Sequence, residues 1–184
     1  MKRSKNLKNS TIIKKFQLST YKDDRGSFIK IYSLVKSLKK NIDLKVNQIN
    51  YSTNLKKGTI RGLHYQTQPK NDKKIIICLE GEIFDVIVNI KKKSKDFLKT
   101  YKFRLKGENK DCLFIPKGYA HGYQTLTNNT KLLYIHSDEY YKKYDKGINP
   151  FDKTLKIKWP LGVSKISSRD MNFDFINKNF EGLK

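Results

Sequence analysis

The sequence predicts an all-β fold, a β-sandwich or barrel with short peripheral helices, and three observations support this. Short runs rich in Ile, Val, Phe, Tyr and Thr recur along the chain, and turns rich in Gly, Asn and Lys separate them. These runs do not alternate with long helical segments, which argues against a parallel α/β fold. The chain has 184 residues, so we expect a single domain over 1–184 with a sizeable core.

The strands are predicted in chain order from the apolar runs. They cover 26–33, 45–53, 59–66, 74–80, 82–90, 98–105, 111–115, 119–126 and 130–137. Gly81 in "EGE" and the "TNNT" sequence at 127–130 are typical of turns between paired strands. One or two helical turns are expected at 34–41.

Both ends of the chain differ from this central region. Residues 1 to about 20 are polar and rich in Lys, which is typical of an arm or a first edge strand. From about 138 the sequence becomes rich in turns, and a short helix is expected near the end. We therefore expect 138–184 to be an extension of the strand region rather than a second domain.

The formal net charge of +23 at pH 7 raises the question of nucleic-acid binding. Only five of the 40 basic residues are Arg, and the Lys residues are scattered through every segment. Nucleic-acid recognition favours clustered Arg with aromatic side chains, so this pattern indicates a solvated surface and no nucleic-acid partner. The same charge favours the binding of an anionic substrate.

The two cysteines, Cys78 and Cys112, each lie inside an apolar run, which predicts small buried side chains and no disulfide. The start of the chain is basic and has no apolar signal segment. No run approaches the roughly 20 apolar residues of a membrane span. We expect a cytoplasmic protein without a membrane partner.

The scarce Arg and His residues indicate a candidate site because they fall in distinctive motifs. These are "DDRGSF" with Arg25, "RGLHYQ" with Arg61 and His64, "AHGY" with His121, and "SSRD" with Arg169 and Asp170. A planar guanidinium binds phosphate through two hydrogen bonds, so Arg in these places favours an anionic ligand.

Each residue also has a structural interpretation when it is taken alone. His64 on a strand can be a hydrogen-bonded structural residue, and Asp170 can form an exposed ion pair with Arg169. Lys74 opens an apolar strand, where an ammonium group can mark the solvated end of that strand. Tyr134 lies in "KLLYIH", where its ring can belong to the core.

The histidines do not favour a metal site. No "HxH" pair occurs, and no Cys lies beside a histidine. His64, His121 and His136 are also far apart in the sequence, so we expect no bound metal.

Taken in order, the motifs resemble those of the dTDP-4-dehydrorhamnose 3,5-epimerases. They are "DDRGSF", "QIN", "KKGTIRGLHYQ", "KIIICLEGEIFDVIVNI", "FIPKGYAHGYQTL", "LLYIHSDEYY", "IKWP" and "SSRD", and they span roughly residues 20–172. The resemblance implies a jelly-roll cupin that binds a nucleotide-diphosphate sugar and uses neither a metal nor an organic cofactor. It also implies a homodimer with exchanged edge strands, for which the N-terminal segment through residue 33 is the candidate.

The resemblance gives each matching residue a role. His64 matches the catalytic base, and Asp170 matches the carboxylate that orients it. Tyr134 matches the general acid on the opposite face of the sugar, and Lys74 matches the cation beside the ketone oxygen. The other matches are Arg61 and His121 at the sugar and phosphate end, Arg25, Gln48 and Asn50 at the nucleotide diphosphate, Tyr140 stacked on the base, and Asp145 and Arg169 near the pocket rim. The extension from about 138 thus completes the site.

The implied activity is the inversion of C3 and C5 in a nucleotide-linked 4-keto-6-deoxyhexose. The hydrogens on both carbons are α to the C4 ketone, so a positioned histidine can remove them near neutral pH. A fixed cation beside the enolate oxygen lowers the barrier by roughly 3 kcal/mol. Inversion then needs an acid on the other face, because a single base returns the proton to the face it left.

Departures from the family pattern leave the identity of the nucleotide base open, and the number of inverted centres is a separate open question. Lys30, Ile49, Asp145 and Arg169 replace Glu, Asp, Glu and Lys of many family members, and "PFDK" at 150–153 replaces "WNDP". The catalytic set is intact. The alternatives are an epimerase that inverts only C3 or only C5, for instance on a GDP- or CDP-linked sugar, and a catalytically silent cupin that binds a sugar nucleotide.

Overall fold

The computed structural model describes residues 12–33 and 42–183, which form two facing β-sheets. The strands are β1 (Lys14–Gln17), β2 (Thr20–Asp23), β3 (Gly26–Ile29), β4 (Gln48–Asn54), β5 (Ile60–Gln66), β6 (Lys74–Glu80), β7 (Glu82–Asn89), β8 (Thr100–Lys106), β9 (Asp111–Ile115), β10 (Tyr119–Thr125), β11 (Thr130–His136) and β12 (Asp145–Gly147). A 3-10 turn (Lys153–Leu155) and a short helix, α1 (Ser168–Met171), follow β12.

The strands pair antiparallel within both sheets, as in a jelly roll. The first sheet has the order β1-β9-β6-β11-β4, and the second has the order β12-β5-β10-β7-β8. Strands β2 and β3 form a separate hairpin. The predicted all-β sandwich with short peripheral helices is confirmed. Within 12–33 and 42–183, no helix has the length and apolar character needed to cross a bilayer.

Most predicted strands agree with the observed ones to within a few residues. The strand predicted at 26–33 was too long, because β3 ends at Ile29, where its pairing with β2 ends. Strand β12 has only three residues and lies in turn-rich sequence, so no apolar run predicts it. The helical turns expected at 34–41 lie outside the described residues.

Strand β6 of the first sheet is buried on both faces, which explains its unbroken apolar run. On its inner face, Ile76 packs in one cluster with Ile83 of the second sheet. On its outer face, Ile75 packs in another cluster with Leu44. A strand covered on both faces has no solvent side, so its sequence does not alternate.

Both cysteines are free and fully buried, in agreement with the prediction from the sequence. Cys78 lies in the inner core cluster and Cys112 in the outer one. Burial raises the pKa of the Cys78 thiol to about 12, and the nearby carboxylate of Asp111 acts in the same direction. The Cys78 thiol therefore stays protonated and unreactive at neutral pH.

Two glycines let β5 and β10 approach closely where the site begins. Gly62 has φ +118°, and a Cβ built there would lie 2.5 Å from the Cα of Gly122. A Cβ on Gly122 would lie 2.6 Å from the carbonyl oxygen of Arg61. His64 and His121 are directly paired on these same two strands. The glycines thus set the spacing between the strands that carry the two histidines.

Candidate active site

A cavity of about 480 Å³ opens between the two sheets. All predicted site residues line it except Arg25 and Asp170, and Asp170 is buried in contact with His64. The remaining lining residues, which the motifs did not assign to the site, are Ser52, Tyr65, Gln66, Asp72, Tyr123, His136 and Asp138. A cavity of this volume lies within the range of small-molecule sites.

A histidine–aspartate pair lies on the second sheet's side of the cavity. His64 Nε2 lies 2.8 Å from Asp170 Oδ1, and Asp170 Oδ2 accepts a hydrogen bond of 2.9 Å from the backbone N–H of Gly62. The backbone N–H of Asp170 donates to the hydroxyl of Ser167, which caps α1. Because a carboxylate only accepts, the His64 proton sits on Nε2, and Nδ1 is left for a substrate.

Asp170 keeps its charge although it is buried. Burial by itself raises the pKa of this carboxyl, but the hydrogen bonds and charge of His64 and the bond from Gly62 outweigh burial. The net effect lowers the pKa of Asp170 below its ordinary value of 3.8. A negative charge therefore faces the His64 ring at neutral pH and stabilises the imidazolium that forms when the ring takes up a proton.

A second histidine–aspartate pair lies deeper in the same sheet. His121 Nε2 lies 2.7 Å from Asp85 Oδ2, and both side chains are buried. Burial lowers the pKa of His121 more strongly than the Asp85 carboxylate raises it, and the charges of Lys74 and His64 lower it further. His121 is therefore neutral at neutral pH and acts as a hydrogen-bonding group, whereas His64 is partly exposed.

Tyr134 enters the cavity from the first sheet, opposite His64. It lies on β11, whereas His64 lies on β5 of the second sheet, so the two side chains line the cavity from facing walls. Burial raises the pKa of the Tyr134 phenol well above its ordinary value of 10, and the charge and hydrogen bond of Tyr123 add to this. Tyr134 therefore holds its proton at neutral pH and can donate it.

The two sheets also bring cations to the cavity from facing sides. Lys74 is the first residue of β6 in the first sheet, and Arg61 lies on β5 in the second. Arg61 Nε donates to Asn54 Oδ1 at 2.9 Å, and the same oxygen accepts from the hydroxyl of Tyr123 at 3.1 Å. Asn54 thus links Arg61 to Tyr123, which in turn hydrogen-bonds Tyr134.

A chain of hydrogen bonds links the residues predicted to bind the nucleotide. The backbone N–H of Tyr140 donates to Gln48 Oε1 at 2.8 Å, and Gln48 Nε2 donates to Asn50 Oδ1 at 2.9 Å. The Tyr140 side chain is exposed, so its ring can stack on a flat ligand group.

Asp145 and Arg169 form an ion pair at the cavity. The Arg169 guanidinium also lies over the ring of Phe173, 5.2 Å from its centroid, and the Phe173 ring meets His64 edge-on at 5.7 Å. Asp145 and Arg169, two departures from the family pattern, thus contact each other. The short carboxylate of Asp145 on β12 is paired with the long guanidinium side chain of Arg169, next to Asp170.

Among the predicted site residues, Arg25 is the one that lies away from the cavity in the single chain. It lies in the turn of the β2–β3 hairpin, where its guanidinium pairs with Asp23 at 2.7 Å and its side chain is 85% exposed. Ile49, another departure, is exposed and lies between Gln48 and Asn50, so strand alternation turns it away from the cavity.

The third histidine of the chain also reaches the cavity, although the motifs gave it no role. His136 follows Tyr134 by two positions on β11, and strand alternation places both residues on one face. This spacing was the sequence signal that could have identified His136. Nothing in the sequence pairs His136 with Asp72, which lies before β6 and contacts it only in the folded chain.

Among the described residues, no group of three His, Cys, Asp or Glu side chains is arranged to hold a metal ion. The histidines of the cavity instead pair singly with aspartates: His64 with Asp170, His121 with Asp85 and His136 with Asp72.

Fold and site together define the class of protein. It is an isomerase of the cupin type, with ionisable groups that face one cavity from two sheets. The family model of the dTDP-4-dehydrorhamnose 3,5-epimerases matches residues 7–178, and the chain belongs to this family.

Individual relatives agree with this assignment. The chain is 36% identical over 159 residues to the dTDP-4-dehydrorhamnose 3,5-epimerase of Shigella flexneri, covering 85% of this chain and 87% of that protein. The structure of the Bacillus anthracis 3,5-epimerase, solved with TDP and PPi bound, is 32% identical and covers 95% of this chain and 98% of its own, with a TM-score of 0.86. The Legionella pneumophila 3,5-epimerase in complex with dTDP-4-keto-L-rhamnose is 34% identical and covers 91% and 90%, with a TM-score of 0.84.

Proposed function

We propose that this chain inverts C3 and C5 of a dTDP-linked 4-keto-6-deoxyhexose, giving the 4-keto-L-rhamnose configuration. The observation that carries the proposal is the placement of His64 and Tyr134 on facing sheets of one cavity. An epimerase must remove a proton from one face of a carbon and return a proton to the other. The named ligands of the relatives from B. anthracis and L. pneumophila support dTDP as the carrier.

In the proposed reaction, His64 Nδ1 removes the proton from the carbon next to the C4 ketone. Asp170 holds the ring by Nε2 and stabilises its positive charge. The electrons move onto the ketone oxygen, where Lys74 stabilises the enolate. Tyr134 then donates its phenolic proton to the opposite face of the same carbon, and solvent exchange resets both groups. The same sequence of steps takes place once at C3 and once at C5.

The other lining residues are proposed to hold the substrate during these steps. Arg61 binds the phosphate end through its guanidinium, and neutral His121, whose Nε2 proton faces Asp85, accepts a hydrogen bond from the sugar through Nδ1. Gln48 and Asn50 contact the diphosphate, and the exposed ring of Tyr140 stacks on the base. The ion pair of Asp145 and Arg169 closes the rim beside Asp170.

The working form is proposed to be a homodimer in which a partner supplies Arg25 to the nucleotide. The β2–β3 hairpin exposes the large side chains Tyr21 and Phe28, and the edge strand β4 exposes Ile49 and Tyr51. An open edge and exposed apolar side chains need a covering surface.

We also propose that the protein is cytoplasmic, because two free buried cysteines suit a reducing compartment.

Proton NMR in deuterium oxide tests the reaction and separates it from its alternatives. With dTDP-4-keto-6-deoxyglucose, deuterium is expected at both C3 and C5, together with the signals of the inverted sugar. Uptake at one carbon only indicates an epimerase of a single centre. Binding without any uptake indicates a silent cupin, and parallel runs with GDP- and CDP-linked sugars identify the carrier.

A further inference from the structure

We propose that His136, held in place by Asp72, binds a hydroxyl group of the substrate's sugar ring and so contributes to substrate specificity. The identity of that substrate rests on the proposed function. The position of the two residues is independent of it, because both line the cavity.

The Asp72 carboxylate is fixed on all sides by hydrogen bonds. Its Oδ1 accepts from the backbone N–H of Ser137 at 2.9 Å, from the Ser137 hydroxyl at 3.1 Å and from the backbone N–H of Asp138 at 3.1 Å. Its Oδ2 lies 2.6 Å from His136 Nδ1, and the Asp72 side chain is only 5% exposed. A buried carboxylate held in this way sets both the orientation and the tautomer of the ring it contacts.

The consequence for His136 is that Nε2 is the ring nitrogen left for a ligand. Asp72 accepts, so Nδ1 carries the proton. The His136 ring also lies nearly parallel to the Tyr134 ring, with centroids 5.9 Å apart and an angle of 10° between the planes. A hydroxyl group suits Nε2 because it both donates and accepts, and it can therefore pair with the ring in either protonation state.

The neighbours of His136 indicate which part of the substrate it meets. His136 pairs directly with Lys74 of β6 on one side and with Gln48 of β4 on the other. Residues directly opposite in antiparallel strands have Cβ atoms about 5 Å apart, so the three side chains form a row across the cavity wall. Under the proposed function, Lys74 meets the C4 ketone and Gln48 meets the diphosphate. The polar groups between those points are the C2 and C3 hydroxyls.

The Asp72–His136 pair also ties the end of β11 to the segment before β6, so its role could be purely structural. In that case, loss of the pair would change the stability of the fold and weaken the binding of every ligand of the cavity alike. A sugar contact would change the binding of the sugar while leaving the binding of the nucleotide alone.

The test compares two ligands by titration calorimetry, dTDP and dTDP-6-deoxyglucose, on the wild type and on His136→Phe. The Phe ring keeps the packing against Tyr134 and removes both nitrogens. We expect the Kd of dTDP-6-deoxyglucose to rise roughly tenfold, as for one lost hydrogen bond, with the Kd of dTDP unchanged. An unchanged Kd for the sugar nucleotide overturns the inference, and so does an equal rise for both ligands.

A second variant keeps the inference testable if His136→Phe folds poorly. Asp72→Asn has the same shape, but its single oxygen must serve the donors of Ser137 and Asp138, so its amide group faces the ring. The His136 proton should then move from Nδ1 to Nε2, which nitrogen-15 NMR detects. The Kd of dTDP-6-deoxyglucose should change while the Kd of dTDP does not. A moved proton without any change in sugar affinity contradicts the proposal.

Analogues that lack one hydroxyl identify the contact. Removal of the paired hydroxyl, at C2 or at C3, should weaken binding to the wild type and have no further effect on His136→Phe. If both deletions weaken both proteins equally, His136 contacts neither group and the inference fails.

Failure of this inference can be told apart from failure of the proposed function. A wild type that binds dTDP-6-deoxyglucose but exchanges no deuterium is not an epimerase, and the His136 contact still stands. A wild type that epimerises, with a His136→Phe variant that binds like it, disproves the contact alone. A wild type that binds no dTDP-sugar disproves both.

Discussion

Asp170 orients His64 and also anchors the strand that carries it, from a position 106 residues further along the chain. One carboxylate oxygen lies 2.8 Å from His64 Nε2, and the other accepts from the backbone N–H two residues before His64. Ring and strand are thus held by one charged group, which makes that group the most direct point at which to test the mechanism.

Asp170→Asn should lower kcat at least about 100-fold with the fold retained, because an amide can neither fix the tautomer as a carboxylate does nor stabilise the imidazolium. Initial rates and circular dichroism of the variant check this. Asp170→Glu, which keeps the charge, is the matched comparison and should retain more activity. A wild-type kcat in Asp170→Asn would show that His64 works without its partner.

The lowered pKa of Asp170 predicts how stability depends on pH. A carboxyl group whose pKa is lower in the folded than in the unfolded protein stabilises the fold fully above the unfolded value. That contribution disappears as the pH falls from about 3.8 through the lower folded value. The difference in unfolding free energy between the wild type and Asp170→Asn should therefore shrink as the pH falls below about 4. Denaturant titrations at each pH measure this difference in unfolding free energy. A difference that stays the same down to pH 3 would refute this account.

His64 and Tyr134 should fail in different ways, because one starts the reaction and the other completes the inversion. His64→Ala should abolish both deuterium uptake and epimerisation, with a loss of at least about 100-fold. Tyr134→Phe keeps the ring and the base, so deuterium should still enter from the His64 face while inversion falls sharply. Proton NMR follows both signals in one experiment. Inversion at the wild-type rate in Tyr134→Phe would assign the acid to another donor.

The close approach of β5 and β10 predicts a strong effect of Gly122→Ala. The added Cβ would lie 2.6 Å from the carbonyl oxygen of Arg61, so the strands must separate, at a cost of about 1–3 kcal/mol. Gly162→Ala is the control, because a Cβ there meets nothing within 4 Å, and its effect should stay within about 0.5 kcal/mol. Thermal or denaturant unfolding of the two variants compares them directly. Equal stabilities of the two variants would show that β5 and β10 can accommodate a Cβ at Gly122 without moving apart.

A homodimer should have about twice the chain mass of 21.7 kDa, which light scattering at micromolar concentration measures. Arg25→Ala should raise the KM for the sugar nucleotide without dissociating the dimer, because Arg25 is exposed in the single chain and is proposed to act in the partner's site. A stable monomer with full activity would rule out both expectations.

The fold was predictable from the sequence where burial differs between the faces of a strand or covers both. The run "KIIICLE" indicated a buried strand, and β6 is buried on both faces. Strand β12 was not predictable because its pairing with β5 depends on contacts far apart in the chain, and its three residues carry no apolar pattern.

The site was predictable where one motif holds the chemistry, as with His64 in "RGLHYQ". The site was not predictable where two residues that are far apart in the sequence form a hydrogen-bonded pair. Asp85 and Asp72 lie in separate strand or loop sequences, and only the fold makes them the partners of His121 and His136. Arg25 shows the converse, since its motif is clear although the single chain leaves it apart from the cavity.

The segment that delivers Asp170 also carries a built-in fluorescent probe of its own docking. Trp159, the one tryptophan of the chain, precedes α1; its indole N–H donates to the carbonyl of Pro150, and its ring meets Phe84 of β7 edge-on at 6.0 Å. Until this segment docks, His64 lacks the carboxylate of Asp170. In refolding, tryptophan emission should therefore reach its native spectrum in step with the recovery of activity, because both depend on the docking of this segment.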